Sequence, residues 1–490
     1  MALNILQGNG ATVVVRDGEK PLHGKGVQFA WFRITRKGVK CSMQNSEVIL
    51  NNLTKQALKP EFMFRKLYRI FYNPDIYRKA YSNIYSNKGS STCWVDEETA
   101  DSFGNDTIES IIASIKDESY QPKPSRRTYI PKKNGKKRPL GIPSFIDRVI
   151  QEVCRMILEA VYEPNFPDTL HGFRPGRSCH TALSTVNKTF TGANWFIEGD
   201  IKGFFDNIDH HTLIKILRKR TADEKFIRLM WKFVRAGYVE DFKFNKTYSG
   251  TPQGGIISPI LANIYLNEFD VYMERLKRGF DSGTPKQQKR NPKYRNLEYR
   301  LGKVRKQINA GEGNQEALLA EYNRIRAEML VTPYISDHNG YKSLKYVRYA
   351  DDFLIGVNGS KEDCIRLREQ IKGFMETNLL LELSMEKTLI TNSSQRAKFL
   401  GYEITVGSNE SAYKVGAFFN RSARRNIRLF MPKEVIVKAI NDRNMVRDTN
   451  AHEWKVDARP MLMNLSDLEI IGIYNAEIRG LYNYYQMAEM

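Results

Sequence analysis

The sequence predicts an α+β protein. Two short apolar runs, residues 195–201 and 344–357, read as strands, and the second is broken by a turn at Ala350-Asp351-Asp352. Helical-period segments, among them Ile146–Tyr162 and Glu362–Met375, alternate with these strands and continue after them. Hydrophobic residues make up 41% of the 490, enough for substantial packed cores.

Along the chain, residues 1–50 are irregular and Gly-containing, with strand-like pieces at Ala11–Arg16 and Val27–Ile34 and no assignable chemistry. Leu53–Ser86 is helical in period and rich in aromatics, and Thr107–Lys116 is a second helix. Lys123–Arg138 carries eight Lys/Arg and no Asp or Glu. Apolar pieces flank its Asn134-Gly135 dipeptide, so it reads as a basic β-hairpin rather than a solvated loop. Ile146–Tyr162 reads as an amphipathic helix ended near Pro164.

Between about residues 275 and 340, Leu297, Leu301, Val304 and Ile308 share a helical stripe, as do Leu318, Tyr322, Ile325 and Met329. Gly311-Glu312-Gly313-Asn314 separates the stripes, which predicts an αα-hairpin with each stripe packed on the other. Residues 271–330 hold 14 Lys/Arg against 7 Asp/Glu, so the outer face serves either solvation or phosphate contact. After Thr405 a largely helical module is expected, with basic residues Arg421, Arg424, Arg425 and Arg428 and an aromatic helix at Ile470–Tyr485.

The 76 Lys+Arg against 55 Asp+Glu give a net charge of +21. An excess of that size favours a polyanionic partner through counterion release. The five cysteines are scattered without zinc-like spacing and read as reduced thiols of an intracellular protein. No membrane span or secretory segment is evident, which places the chain in a bacterial cytoplasm or an organelle matrix.

Chemistry concentrates at Tyr349-Ala350-Asp351-Asp352. Adjacent carboxylates at a turn between apolar strands are costly unless cations compensate them. Two divalent ions roughly 3.5–4 Å apart, as in phosphoryl-transfer enzymes, would do so. Asp200, at the end of the upstream strand, supplies a third carboxylate, and hard oxygen ligands suit Mg²⁺.

Tyr349-Ala350-Asp351-Asp352 resembles the signature of reverse transcriptases, and the family's other motifs follow in order. Lys132–Pro143 and His171-Gly172-Phe173-Arg174-Pro175 resemble its fingers motifs, and Asp200–Ile208 its first palm motif. Thr251-Pro252-Gln253-Gly254-Gly255 resembles the Gln-Gly motif; Glu386-Lys387-Thr388 and Phe399-Leu400-Gly401-Tyr402 resemble the two that close the palm. The phrasing of these motifs, the segment Tyr77–Gly89 and the ending Ile473–Tyr485 are similar to group II intron-encoded proteins.

The resemblance implies a right-hand polymerase of fingers, palm with antiparallel sheet, and thumb. Residues 1–52 would be an extension of unassigned role, 53–404 fingers and palm, and 405–490 a helical thumb/maturase domain. It implies that Asp200, Asp351, Asp352 and the carbonyl of Ile201 hold Mg²⁺. Lys132 and Arg138 would face the triphosphate, Phe205 would exclude a 2′-hydroxyl, and Gln253 would contact the incoming nucleotide. Lys387 would be either a proton donor to pyrophosphate or a charge near it. Arg174 and Arg177 would organise the fold or the template, and His171 and His180 would be structural. Arg421, Arg424, Arg425, Arg428 and Arg479 would bind RNA.

Expected partners are intron RNA, an RNA template with DNA primer, target DNA and dNTPs, with no membrane. The expected activity is RNA-directed DNA synthesis with assistance to splicing and retrohoming. Many relatives continue into DNA-binding and Cys-containing endonuclease segments; the sequence ends at Met490 with neither, so second-strand cleavage is not expected of it. Three other functions share parts of this pattern: a splicing-only maturase with an inactive palm, a reverse transcriptase of retron or diversity-generating type, and a metal-dependent nuclease.

Overall fold

The computed structural model describes residues 5–8, 11–14, 32–34, 40–42, 45–85, 100, 103–131, 137–240, 243–247, 249–250, 254–283, 291–311, 313–332, 341–407, 412–415, 418–421, 426–446 and 454–489. Two short hairpins come first: β1 (Ile5–Gly8) with β2 (Ala11–Val14), and β3 (Phe32–Ile34) with β4 (Lys40–Ser42). Helices α1 (Ser46–Ala57), α2 (Pro74–Tyr85) and α3 (Asn105–Lys116) follow. The basic hairpin forms as expected from β5 (Ser125–Pro131) and β6 (Lys137–Ile142).

Helix α4 (Phe145–Tyr162) forms where the apolar spacing places it, and 15 of its 18 residues are buried, polar ones among them. Its polar positions survive burial by making specific bonds. Asp147 accepts from the Tyr120 hydroxyl and, at 3.0 Å, from the Lys123 amide; Gln151 Oε1 accepts from the Ile256 amide at 2.9 Å. The helix therefore ties the β-hairpin to the loop after residue 254, rather than covering one face of a core.

Next come α5 (Cys179–Thr189), β7 (Trp195–Gly199), α6 (Phe204–Asn207), α7 (His210–Arg218), α8 (Glu224–Val234), β8 (Tyr238–Glu240), β9 (Lys243–Asn245) and α9 (Ser258–Phe280). Strands β8 and β9 extend the basic hairpin into a four-stranded sheet ordered β6-β5-β8-β9. The αα-hairpin is α10 (Pro292–Ala310) and α11 (Gln315–Val331); its eight stripe residues pack as a separate small core, as their spacing demands.

A second sheet is built from β7, β10 (Ser343–Tyr349), β11 (Asp352–Asn358) and, after α12 (Lys361–Asn378), β12 (Leu389–Asn392). Its order is β10-β11-β7-β12, antiparallel throughout. Strand β11 is apolar from Phe353 to Val357 because helices cover one face of the sheet and a second core the other, whereas β10 also carries Ser343, Lys345 and Arg348. This arrangement is the α+β right-hand polymerase fold.

The segment after Thr405 departs from the helical expectation. β13 (Ala397–Phe399), β14 (Tyr402–Val406) and β17 (Ile427–Phe430) form a sheet, and β15 (Ala412–Val415) pairs with β16 (Phe418–Arg421). Buried Ile427 and Leu429 alternate with exposed Arg428 and half-buried Phe430, a period-2 pattern in so short a run that it is easily missed. Among the described residues, α-helices return at α13 (Lys433–Asn441) and α14 (Asp467–Tyr485). The end of α14 is clasped to the β13–β14 turn, where the Tyr484 hydroxyl donates to Leu400 O at 2.9 Å and that of Tyr485 to Gly401 O at 3.2 Å.

One polar contact fastens the second sheet to its helices. Arg348 on β10 and Asp270 on α9, both with side chains 0% exposed, pair through two bonds: Nε to Oδ1 at 2.8 Å and Nη2 to Oδ2 at 2.5 Å. Tyr346 donates to the same carboxylate at 2.7 Å. Removing one member of such a pair strands a buried charge. Asp270→Asn should therefore cost about 3–5 kcal/mol in chemical denaturation, and a loss below about 1 kcal/mol would contradict the assignment.

Candidate active site

The three predicted carboxylates meet at one end of the β10-β11-β7-β12 sheet. Tyr349 pairs with Asp352, leaving Ala350 and Asp351 as a two-residue turn. Phe353 pairs with Gly199, a register that carries Asp352 to the level of Asp200 just beyond β7. Asp200 is fixed from its other side, where its carbonyl accepts from the Ser384 amide at 2.9 Å and Ile201 bridges to Leu383.

Ala350 is held at a φ of +58°, a region an alanine rarely adopts. Its carbonyl accepts from Arg348 Nη1 at 2.8 Å, so the buried ion pair also grips the turn. The backbone of Gly172 lies against it as well, and a Cβ there would fall 2.3 Å from the Ala350 nitrogen. Only glycine fits this approach. The amide of His171 donates to Arg348 O, and that of Arg348 to Thr169 O, each at 2.9 Å. Residues of the first fingers-like loop thus form an extra edge on β10.

Arg348 and Asp270 are positioning residues that sequence reasoning missed. A charged side chain inside the apolar run Tyr346–Tyr349 was the available signal. Its partner lies 78 positions away on a different element.

Electrostatically the site holds more negative charge than its surroundings offset. Burial, with the Asp351 and Asp200 carboxylates adding, pushes Asp352 up to about 7 against the relief from Lys387. Burial also raises Asp351, relieved in part by its own backbone and by Arg138 and Arg348. Lys387 Nζ donates to Asp200 Oδ2 at 2.9 Å, and that bond raises its own pKa. Arg138, exposed on β6, and Lys387 therefore both act on the carboxylates.

Among the described residues no three His, Cys, Asp or Glu side chains are gathered closely enough to cage a metal by themselves. The donor set nonetheless fits Mg²⁺, which keeps waters and substrate phosphates and binds through one or two carboxylates rather than a closed protein cage. Asp352 held near 7 is the mark of a carboxylate in need of a cation.

Phe205 lies on α6, half-buried, its ring edge-on to that of Phe173 with centroids 6.4 Å apart. Lys132 and Gln253 lie outside the described residues. The neighbour of Gln253 is placed: Gly254, at φ +110°, would bring a Cβ within 2.6 Å of Gly141 O, so the Gln-Gly loop abuts the basic hairpin. Among the arginines assigned to RNA, Arg424 and Arg425 lie outside the described residues, and Arg421 ends β16. Arg428 donates to Glu489 at 2.6 Å and stacks on Phe430, while Arg479 is exposed on α14.

Arg174 bonds Glu163 and the carbonyls of Pro167 and Leu170, and Arg177 pairs with Asp168, so both organise the loop itself. His180 Nε2 meets the Tyr484 carbonyl at 2.8 Å. Among the described residues no helix is long and apolar enough to cross a membrane.

Residues 130–277 and 323–404 match the reverse transcriptase (RNA-dependent DNA polymerase) family. The group II intron-encoded protein LtrA of Lactococcus lactis subsp. cremoris is 48% identical over 450 residues, which cover 91% of this chain and 74% of that protein. An uncharacterized 91 kDa protein in the cob intron of Schizosaccharomyces pombe is 38% identical over 440 residues, 89% of this chain and 53% of that one. The protein YkfC of Escherichia coli is 33% identical over 372 residues, 73% of this chain and 88% of that one.

His171, buried between Thr181 and Thr185, has its pKa lowered to about 4 by desolvation and by Arg177 and Arg174. The unfolded chain therefore binds the extra proton between pH 6.5 and 4, and folding stability falls with pH across that window. His171→Gln should flatten this part of a stability–pH curve measured by thermal unfolding. An unchanged slope would exclude His171 as its source.

Proposed function

The chain belongs to the group II intron-encoded reverse transcriptase/maturase family, and from that membership we propose that it is an active Mg²⁺-dependent RNA-directed DNA polymerase. The observation that carries this is the convergence of Asp200, Asp351 and Asp352 at one sheet end, with Asp352 raised to about 7. An inactive palm would have no need of three convergent carboxylates, two of them, Asp351 and Asp352, raised by burial.

Asp200, Asp351, Asp352 and the carbonyl of Ile201 are assigned to hold two Mg²⁺. Bound there, the ions would activate the 3′-oxygen of a primer and hold the departing pyrophosphate. Arg138 and Lys132 neutralise the triphosphate of a dNTP. Gln253 contacts the incoming nucleotide, and the Phe205 ring lies under its sugar. Lys387, bonded to Asp200 and acting on Asp352, moves to the phosphates or donates a proton to pyrophosphate.

The substrates assigned to this site are an RNA template with a DNA primer, target DNA serving as primer source during retrohoming. Residues 405–490, with Arg421, Arg424, Arg425, Arg428 and Arg479, are assigned as a thumb/maturase region that grips intron RNA and assists its splicing. The net charge of +21 supports that partner.

Asp351→Asn should lower primer extension on an RNA template by at least about a hundredfold while RNA binding stays near wild type. Extension by the variant at the wild-type rate would remove the metal assignment. Splicing of the cognate intron at low Mg²⁺ should be faster with the protein than without it; equal rates would remove the maturase half of the proposal.

A further inference from the structure

The loop from Thr169 to Arg177 is pinned more firmly than a connection between helices requires. It is bonded to β10 through His171 and Thr169, and Asn263 Nδ2 donates to Gly172 O at 2.8 Å. Arg174 closes it with bonds of 2.8 Å to Glu163, 2.7 Å to Pro167 O and 3.0 Å to Leu170 O. In the middle of this rigid loop, Phe173 adopts a φ of +57° and remains 48% exposed.

That combination is costly twice over. A left-handed backbone strains any residue with a Cβ, and a bulky one most. A half-exposed ring also forgoes much of what burial would return. Its surroundings belong to the candidate active site. Gly172, the preceding residue, abuts the catalytic turn, and the ring of Phe205 stands edge-on at 6.4 Å and 74°. Strain maintained by the surrounding structure beside a catalytic centre points to use.

We propose that Phe173 is a nucleoside-binding residue whose ring forms, with Phe205, an aromatic corner against the nascent base pair. The inference rests on the polymerase function proposed above. A π-face serves every base alike, as an enzyme copying any template sequence needs. Incoming and templating nucleotides offer the same chemistry, and the test separates them.

Phe173→Gly is the informative variant because glycine takes the left-handed backbone without strain. It should unfold at the wild-type temperature or higher. If the ring meets the incoming nucleotide, KM for dNTP should rise about tenfold with kcat little changed. If it meets the template, affinity for template–primer should fall about tenfold instead. In that case 2-aminopurine at the templating position should also brighten in the variant complex as its stacking is lost. Phe173→Tyr should retain wild-type values in both arms. Wild-type KM, template affinity and fluorescence in Phe173→Gly would overturn the proposal, as would a fall in unfolding temperature as its sole effect. A wild-type protein unable to extend a primer would instead overturn the polymerase function, and the fluorescence arm, which needs no catalysis, would still decide the role of Phe173.

Discussion

The buried pair between Arg348 and Asp270 is the constraint on which the geometry of the site depends. A fully buried guanidinium is tolerable only with its donors satisfied, and here they go to Asp270 and to the carbonyl of Ala350. The same side chain thus locks β10 to α9 and sets the turn that carries Asp351. The loop 169–172 rests on this strand, so its contacts with the turn follow from the same anchor. An arginine here contributes orientation more than net stability, since buried pairs of this kind roughly break even against apolar packing.

Around that fixed turn the structure concentrates negative charge. Sheet register places Asp352 beside Asp200, and burial raises both members of the Asp351-Asp352 dipeptide. Two cationic groups act on them from outside, Arg138 from the basic hairpin and Lys387 from the segment before β12. Neither is buried with the carboxylates, so neither substitutes for bound cations. The chain's own cations are thus disposed around the carboxylates, where an anionic triphosphate would have to lie.

Much of this was legible in the sequence because it is local. The pairing of β5 with β6, the paired stripes of α10 and α11, and the acid-terminated strands all depend on patterns a few residues long; Asn134-Gly135 lies outside the described residues. The Arg348–Asp270 pair was not, since it joins positions far apart and appears in sequence only as an odd charge in an apolar run. Helix α4 was legible from its apolar spacing, but the burial of its Asp147, Gln151 and Glu152 was not, because the hydrogen-bond partners that make it tolerable lie on other elements. The strands after Thr405 are each four residues long, too short for their period to stand out from the basic residues among them.

The chain presents a strained turn, three convergent carboxylates and two flanking cations, Arg138 and Lys387, in a family that copies RNA into DNA. The central claim is that this carboxylate cluster holds two metal ions when substrates are in place. Electron paramagnetic resonance of the protein stalled with Mn²⁺, an RNA template, a 3′-deoxy primer and dNTP tests it most directly. The account predicts two bound Mn²⁺ per chain, coupled at the roughly 3.5–4 Å separation of two-metal sites. A single uncoupled ion, or none beyond that carried by free dNTP, would contradict it.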